Sequence, residues 1–353
     1  MSTVKDLLQQ CKLKKLKGYS KMKKADLIEL LNGVKEVEKD NEIIGGHIDY
    51  AENKEEIELP LRDMLLVNPI KNQDKGFKLG IHVFKGKDMA NSITQAREDC
   101  PLNAVQLFTH GPRNTHKVDH DYERVRSAGK GIHMYVHSSY PTNPWNGKAE
   151  IFKHTVDQFS SSMDLGSKGV VLHIPKIGPT AVAKPIKTLV AALLKKGLLK
   201  GQKVILEMKA VKQHETESYE SPEKINRLIE ALKAEGLTSD NVGICIDTAH
   251  IYAGKADIHT YTAGVKYFED LEYPQWICLI HLNGNVYDAK KRAGDKHAVP
   301  FDHEDKVWKG KTYAESGCRA FIEFAQAKGI DFILEVKDHH TVENVNAFVK
   351  LVG

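Results

Sequence analysis

The chain has no run approaching 18 apolar residues, so no segment of it reads as a bilayer-spanning helix. Its opening stretch, MSTVKDLLQQ, carries charge where a secretory signal needs an apolar core, and an intracellular protein, nuclear or cytoplasmic, is expected. Cysteine is scarce. Cys11, Cys100, Cys245, Cys278 and Cys318 are odd in number and scattered, and no two form a Cys-x-x-Cys pair. That excludes a disulfide framework and a thiolate zinc site. No Gly-x-Gly-x-x-Gly follows the first strand-like run, which removes the usual support for a doubly wound nucleotide-binding sheet.

What is present is an ordinary globular balance: 353 residues, 41% hydrophobic and 28% charged, with 17 histidines. That length allows a large core and one to three domains. The net charge of +4 is small but uneven. Residues 1–33 hold eight lysines against three acids, a net +5 that exceeds the whole chain. Ser2 or Thr3 can cap a helix with Val4, Leu7, Leu8 and Cys11 on one face, and Ser20 can cap a second with Leu27, Ile28 and Leu31 inward. The stretch LKGYSKMKKADLIELL resembles a SAP-type helical DNA-binding module. A solvated lysine-rich hairpin or a protein-docking module is the competing reading. Residues 34–60 reverse the sign, with three lysines against nine acids, and are broken by Gly45-Gly46 and Pro60. Residues 34–77 therefore read as a linker, acidic in its first half, and residues 78–353 as the main domain.

From Lys78 onward strand and helix patterns alternate. Eight near-continuous apolar runs read as buried strands: Leu79–Phe84, Ala104–Thr109, Ile132–His137, Val170–Ile174, Val204–Met208, Val242–Asp247, Trp276–Leu282 and Phe332–Val336. Helical periodicity fills most gaps, as at Ala149–Leu165, Ala181–Lys195, Pro222–Glu235 and Ala314–Lys328. Eight such units predict an α/β fold, the eight-stranded parallel βα (TIM) barrel, preceded by the small helical module.

Function in such a barrel sits at the C-terminal strand ends. There the sequence places His137, His173, Glu207, Asp247, His281 and Glu335 on six successive strands, although His, Asp and Glu make up under a fifth of the chain. Buried charge is costly unless it is paired or bound to metal, so three imidazoles and three carboxylates at one level point to a metal cup. Asp247 also has a plainer reading, as the cap of the next helix, with His250 on its first turn. Beyond the seventh strand, Asp295-Lys296-His297 in the basic loop DAKKRAGDKH adds two more ligands, which with His250 form a separable trio. Nine ligands suit two or three ions. Imidazole with carboxylate and no thiolate favours zinc, manganese or iron over magnesium. Such a cluster suits phosphodiester hydrolysis, with Glu207 as a bridging carboxylate.

The stretches YVHSSY, VVLHIP, VILEMK, VGICIDTAH, IHLN, GDKH and FILEV resemble endonuclease IV, the family 2 apurinic/apyrimidinic (AP) endonucleases. The resemblance covers residues 78–353 and occupies all nine metal-ligand positions with the family's residue types. It implies that His137, His173 and Glu207 hold one zinc, that Glu207, Asp247, His281 and Glu335 hold a second, and that His250, Asp295 and His297 hold a third, with manganese able to replace part of the cluster. Glu207, Asp247 and Glu335 are the implied catalytic carboxylates. The implied partner is double-stranded DNA with abasic sites, incised on the 5′ side of the lesion to leave a 3′-hydroxyl and a 5′-deoxyribose phosphate, with trimming of blocked 3′ ends, by a monomer. Arg113 in FTHGPR and Tyr140 in HSSY match residues that enter the DNA at the lesion, and Lys290, Lys291 and Arg292 are the basic loop's candidate DNA contacts.

The chain departs from the family where Met208-Lys209-Ala210-Val211 follows Glu207, where Ala249 replaces a usual cysteine, where Gly284 follows HLN in place of an Asp, and where Pro141 follows Tyr140. A module fused to this barrel suggests a large DNA virus or a eukaryote, and for a viral chain the virion or viral factory is a further location. Two other readings stay open at this point: a metal-dependent sugar isomerase or epimerase on the same barrel, and a non-catalytic DNA-binding scaffold. The trio around His250 argues against the first, and the complete ligand set against the second.

Overall fold

Eight short apolar runs close on themselves. The computed structural model describes residues 79–84, 88–100, 102–210, 218–289, 294–336 and 341–352. The module at 1–33, the linker at 34–77 and the loop residues Lys290, Lys291 and Arg292 lie outside the described residues. In chain order the strands are β1 (Leu79–His82), β2 (Ala104–Phe108), β3 (His133–His137), β4 (Gly169–His173), β5 (Lys203–Glu207), β6 (Val242–Asp247), β7 (Ile277–His281), β8 (Gly284–Asn285), β9 (His297–Ala298) and β10 (Asp331–Leu334). β1 to β7 and β10 form a closed parallel barrel in the order β1-β10-β7-β6-β5-β4-β3-β2, and β8 pairs antiparallel with β9 outside it. This is the expected eight-stranded TIM barrel.

The helices follow their local signals. They are α1 (Met89–Asp99), α2 (Tyr122–Ala128), α3 (Ala149–Leu165), α4 (Pro179–Lys195), α5 (Pro222–Ala234), α6 (Thr248–Ala253), α7 (Tyr261–Glu269), α8 (Gly317–Lys328) and α9 (Thr341–Val352). α4 starts two residues earlier than its periodicity suggests, because Pro179 suits a first turn that needs no N–H. α5 opens on Pro222 behind Ser221, whose side chain accepts the Lys224 N–H. α8 starts three residues later than its pattern, since Ser316 is extended and its hydroxyl bonds the Tyr313 carbonyl at 2.8 Å.

Two apolar layers result. Side chains on the outer strand faces pack against the helices, with Phe159, Ile186, Leu189, Ile229 and Phe321 fully buried. Inside the barrel a separate cluster fills the floor: Ala104, Tyr135, Val171, Ile205, Cys245, Leu279 and Ile333. Each large aliphatic side chain sequestered there contributes roughly 1.5–3 kcal/mol. Gly80 completes the ring for steric reasons. A Cβ at Gly80 would lie 2.4 Å from the Ala104 carbonyl oxygen and 2.6 Å from Cδ1 of Ile333. Below this layer Asp331 accepts the Tyr135 hydroxyl at 2.6 Å and faces Nδ1 of His133 at 2.5 Å, which ties β10 to β3 across the barrel.

Candidate metal centre

Strand side chains alternate, so the next inward residue stands two positions further on. Above Gly80, Ala104, Tyr135, Val171, Ile205, Cys245, Leu279 and Ile333 that rule places His82, Gln106, His137, His173, Glu207, Asp247, His281 and Glu335. Every one of them is polar. The register keeps neighbours level, with His173 beside Glu207 and Asp247 beside His281. Glu335 stands one residue past the end of β10, because that strand stops at Leu334 rather than running on to Val336.

Four histidines have one ring nitrogen committed to a carbonyl oxygen. Nδ1 of His137 faces the Ser138 carbonyl at 2.8 Å, and Nδ1 of His250 faces the Met208 carbonyl at 2.7 Å. Nδ1 of His297 faces the Glu335 carbonyl at 3.1 Å, and Nε2 of His281 faces the Gln106 side-chain oxygen at 2.9 Å. A carbonyl only accepts, so each of these nitrogens carries the proton. The opposite nitrogen of each neutral ring is then a lone pair, and it turns into the cup. This is how metal-ligating imidazoles are oriented.

Carboxylate oxygens stand close to these nitrogens, and Nε2 of His137 also faces Nε2 of His173 at 3.2 Å. Oε2 of Glu207 is 3.3 Å from Nε2 of His137 and 3.1 Å from Nε2 of His173. Its Oε1 is 3.2 Å from Nδ1 of His281, which is also 3.3 Å from Oε2 of Glu335. Yet both Glu207 oxygens, Nδ1 of His281, and Nε2 of His250 and His297 are buried without a hydrogen-bond partner. Orphaned buried polar atoms are rare in folded proteins and call for a ligand. Three groups have ligand atoms close enough to hold an ion: His137, His173 and Glu207; Glu207, Asp247, His281 and Glu335; and Asp247, His250 and His297. Glu207 and Asp247 each belong to two groups. Eight of the nine residues singled out by sequence are thus assembled. Asp295, the ninth, stands at the rim with its side chain about half exposed, its Oδ1 2.9 Å from Nε2 of His297 and 3.4 Å from Nε2 of His250.

Asp247 fills both roles that its sequence position offered. Its Oδ1 accepts the His250 N–H at 2.9 Å and caps α6, while Oδ2 accepts from Asn283 at 2.8 Å and faces Nε2 of His297 at 3.6 Å. The electrostatics are those of a cation site. Burial favours neutral carboxyls, but His173 and then His281 hold Glu207, and His281 holds Glu335, well below the usual range. Burial likewise opposes charge on His297, and Asp247 with Asp295 overrides it, raising the ring to about 9. Positive charge is therefore welcome at these ligand atoms.

Residues 94–352, well over half of the chain, match the AP endonuclease 2 family, described as xylose isomerase-like TIM barrels. The chain belongs to that family. A protein of African swine fever virus (isolate Tick/Malawi/Lil 20-1/1983) named "Probable AP endonuclease" is 28% identical over 251 residues, 67% of this chain and 79% of that one. The crystal structure of endonuclease IV from Thermus thermophilus matches with a TM-score of 0.59 at 22% identity, covering 77% of this chain and 97% of that one. A D-tagatose 3-epimerase-like protein matches with a TM-score of 0.54 at 15% identity, covering 78% and 96%. The same fold thus carries proteins named for different chemistries, and fold by itself assigns none of them to this chain.

Beside the cup of this family member stand two residues singled out as DNA contacts. Tyr140 is 53% exposed, and its ring lies 5.9 Å from that of His137 and 5.6 Å from that of His173. Its N–H donates to the Pro112 carbonyl at 2.8 Å, which ties its loop to the exposed loop of Arg113. Four supporting residues were not legible as site residues. Gln106 donates to Glu335 at 2.6 Å while holding His281. His82, whose buried ring is less basic than usual, faces the Gln106 amide through Nδ1 at 3.0 Å. Asn283 bridges Asp247 and the Glu335 N–H, and Asn285 supports the trio. The available signal for His82 and Gln106 was their place two residues beyond Gly80 and Ala104.

Among the described residues no helix is long and apolar enough to cross a membrane.

Proposed function

We propose that this chain is a DNA-repair endonuclease that hydrolyses the phosphodiester on the 5′ side of an abasic site, leaving a 3′-hydroxyl and a 5′-deoxyribose phosphate, and that it also trims blocked 3′ ends. The observation that carries the reading is the trio of His250, Asp295 and His297 beside the six strand-end ligands. A sugar isomerase or epimerase needs fewer ions. The donor set, imidazole and carboxylate without thiolate, suits about three zinc ions, with manganese able to enter part of the cluster.

His137, His173 and Glu207 would hold one ion, Glu207, Asp247, His281 and Glu335 a second, and His250, Asp295 and His297 a third, with Asp247 within reach of the last. Bound ions would supply Lewis acidity and acidify water at the scissile phosphate. The chain's own contribution is placement. Glu207 presents one oxygen to His137 and His173 and the other to His281, so a single carboxylate fixes the distance between two ligand groups. Carbonyl oxygens lock four imidazoles in one tautomer, so no reorganisation is needed when charge develops on the phosphate. Tyr140 and Arg113, on tied loops at the mouth, would fill the gap left by an extruded abasic nucleotide, and Lys290, Lys291 and Arg292 would neutralise phosphates. Residues 1–33 would add non-specific duplex affinity.

The experiment is metal analysis of the purified chain with parallel assays on an abasic duplex and a ketohexose. About three zinc per chain and incision without sugar turnover are expected. One or two divalent ions with ketose epimerisation would sink the reading.

A further inference from the structure

We propose that the buried carboxylate of Asp305 is the positioning group for the His250–Asp295–His297 trio, acting through Asn285 from the space that a side chain at position 284 would occupy.

Asp305 lies outside the barrel, eight residues beyond His297, and is 1% exposed. The loop folds around its carboxylate. Oδ1 accepts the Val307 N–H at 2.8 Å and the Asn285 N–H at 3.3 Å, and Oδ2 accepts the Phe301 N–H at 3.0 Å. Phe301 sits at φ 66°, in the left-handed region that non-glycine residues avoid, and its N–H is fixed there by the Asp305 carboxylate. Burial, opposed in part by the surrounding N–H groups, raises the Asp305 carboxyl to about 6, so it is mostly ionised at neutral pH and accepts from those donors as a carboxylate.

Asn285 passes this order to the trio. It belongs to β8, whose partner strand β9 begins at His297, with Asn285 opposite His297 in register. Its side-chain amide donates to the Gly294 carbonyl at 3.0 Å and the Ala249 carbonyl at 3.3 Å. Those carbonyls belong to the residues immediately before Asp295 and His250. The Asn285 carbonyl also accepts the Lys306 N–H at 2.8 Å, so the Asp305–Lys306 segment and Asn285 are joined twice. One asparagine thus touches the backbone next to all three trio members, and Asp305 fixes that asparagine.

Asp305 occupies the space beside Gly284. A Cβ at Gly284 would lie 2.6 Å from Oδ1 and 2.7 Å from Cγ of Asp305. The space where a side chain at position 284 would begin is filled by a carboxylate from a different segment. A side chain at 284 can therefore enter this space only when residue 305 gives it up.

This inference rests on the trio being a metal site, and the test separates the two. Full-length wild type, Asp305→Gly, Asp305→Asn, Gly284→Asp and the double variant Gly284→Asp/Asp305→Gly are titrated with Zn2+ and their bound zinc is counted, with circular dichroism as the check on folding. Asp305→Gly is expected to lose about one zinc, or 10–100-fold in affinity at the weakest site, while retaining the others. Gly284→Asp should be impaired by collision with Asp305, and the double variant should recover the lost zinc. Should Asp305→Gly not fold, Asp305→Asn preserves shape but removes the charge and one acceptor, and it should show the same selective loss. Unchanged zinc in a folded Asp305 variant overturns the inference, as does a folded double variant that recovers nothing. A wild type with no third zinc overturns the trio reading itself, and the inference with it.

Discussion

The side-chain oxygen of Gln106 faces Nε2 of His281 at 2.9 Å, and this contact fixes which nitrogen of His281 is free for a cation. The same amide donates to Glu335 at 2.6 Å, so one uncharged residue on β2 orients two ligands from β7 and β10. Gln106→Leu removes both bonds at similar volume and leaves the His281 and Glu335 atoms without partners in a buried cup. Metal affinity at the Glu207–Asp247–His281–Glu335 group should fall 10–100-fold with the fold retained. Competition against a zinc chelator would measure it, and wild-type affinity would show the contact to be incidental.

Tyr140 predicts a split between substrates. An exposed aromatic at the mouth is needed only when a nucleotide must leave an intact stack, at a cost of a few kcal/mol. Tyr140→Ala should slow incision of an abasic duplex far more than trimming of an already frayed 3′ end. Equal losses on both substrates would remove the wedge assignment.

His110 predicts an acid-sensitive mouth. Burial, followed by the nearby Lys117, lowers its pKa from 6.5 to about 4. The unfolded chain therefore binds a proton more readily than the folded one between those values. Stability from this group is full above about pH 6.5 and is lost as pH falls through about 4. Thermal melts should fall across that window, and His110→Gln should flatten the dependence. A variant with the wild-type acid slope would place the sensitivity elsewhere.

Much of the cup was legible because of where the charged residues stand. An apolar run that carries His, Asp or Glu at or next to its last residue reads as a strand delivering a ligand, and six strands do so. His82 and Gln106 escaped for different reasons. His82 is followed by Val83 and Phe84, so it reads as mid-strand, and a glutamine is not a ligand type. Yet they complete the same ring by the same two-residue step. The place of Asp305 was hidden by distance in sequence: it lies against Gly284, and only the folded loop brings the two together. Asp247 shows that two readings of one residue need not compete, since one oxygen caps α6 and the other faces the cup.

The amino-terminal segment supports a prediction from charge alone. Residues 1–33 carry a net +5 in a chain of +4. Deleting them should leave zinc content and single-turnover incision intact while weakening binding to long duplex DNA and flattening its salt dependence, because fewer counterions are released. Affinity measured across a salt series decides this. Identical affinities and slopes would point to a protein-docking module instead.

Glu207 is proposed to organise a metal-dependent phosphodiesterase directed at abasic sites. The most direct measurement follows a single end-labelled duplex with one abasic site on a sequencing gel, incubated with wild type, with wild type pre-treated with a chelator, and with Glu207→Gln. A single cut on the 5′ side of the lesion with a 3′-hydroxyl terminus is expected, abolished by chelation and restored by zinc, and reduced about a hundredfold or more in a folded Glu207→Gln. Incision that survives chelation, a cut on the 3′ side, or near-normal activity of Glu207→Gln would contradict the proposal.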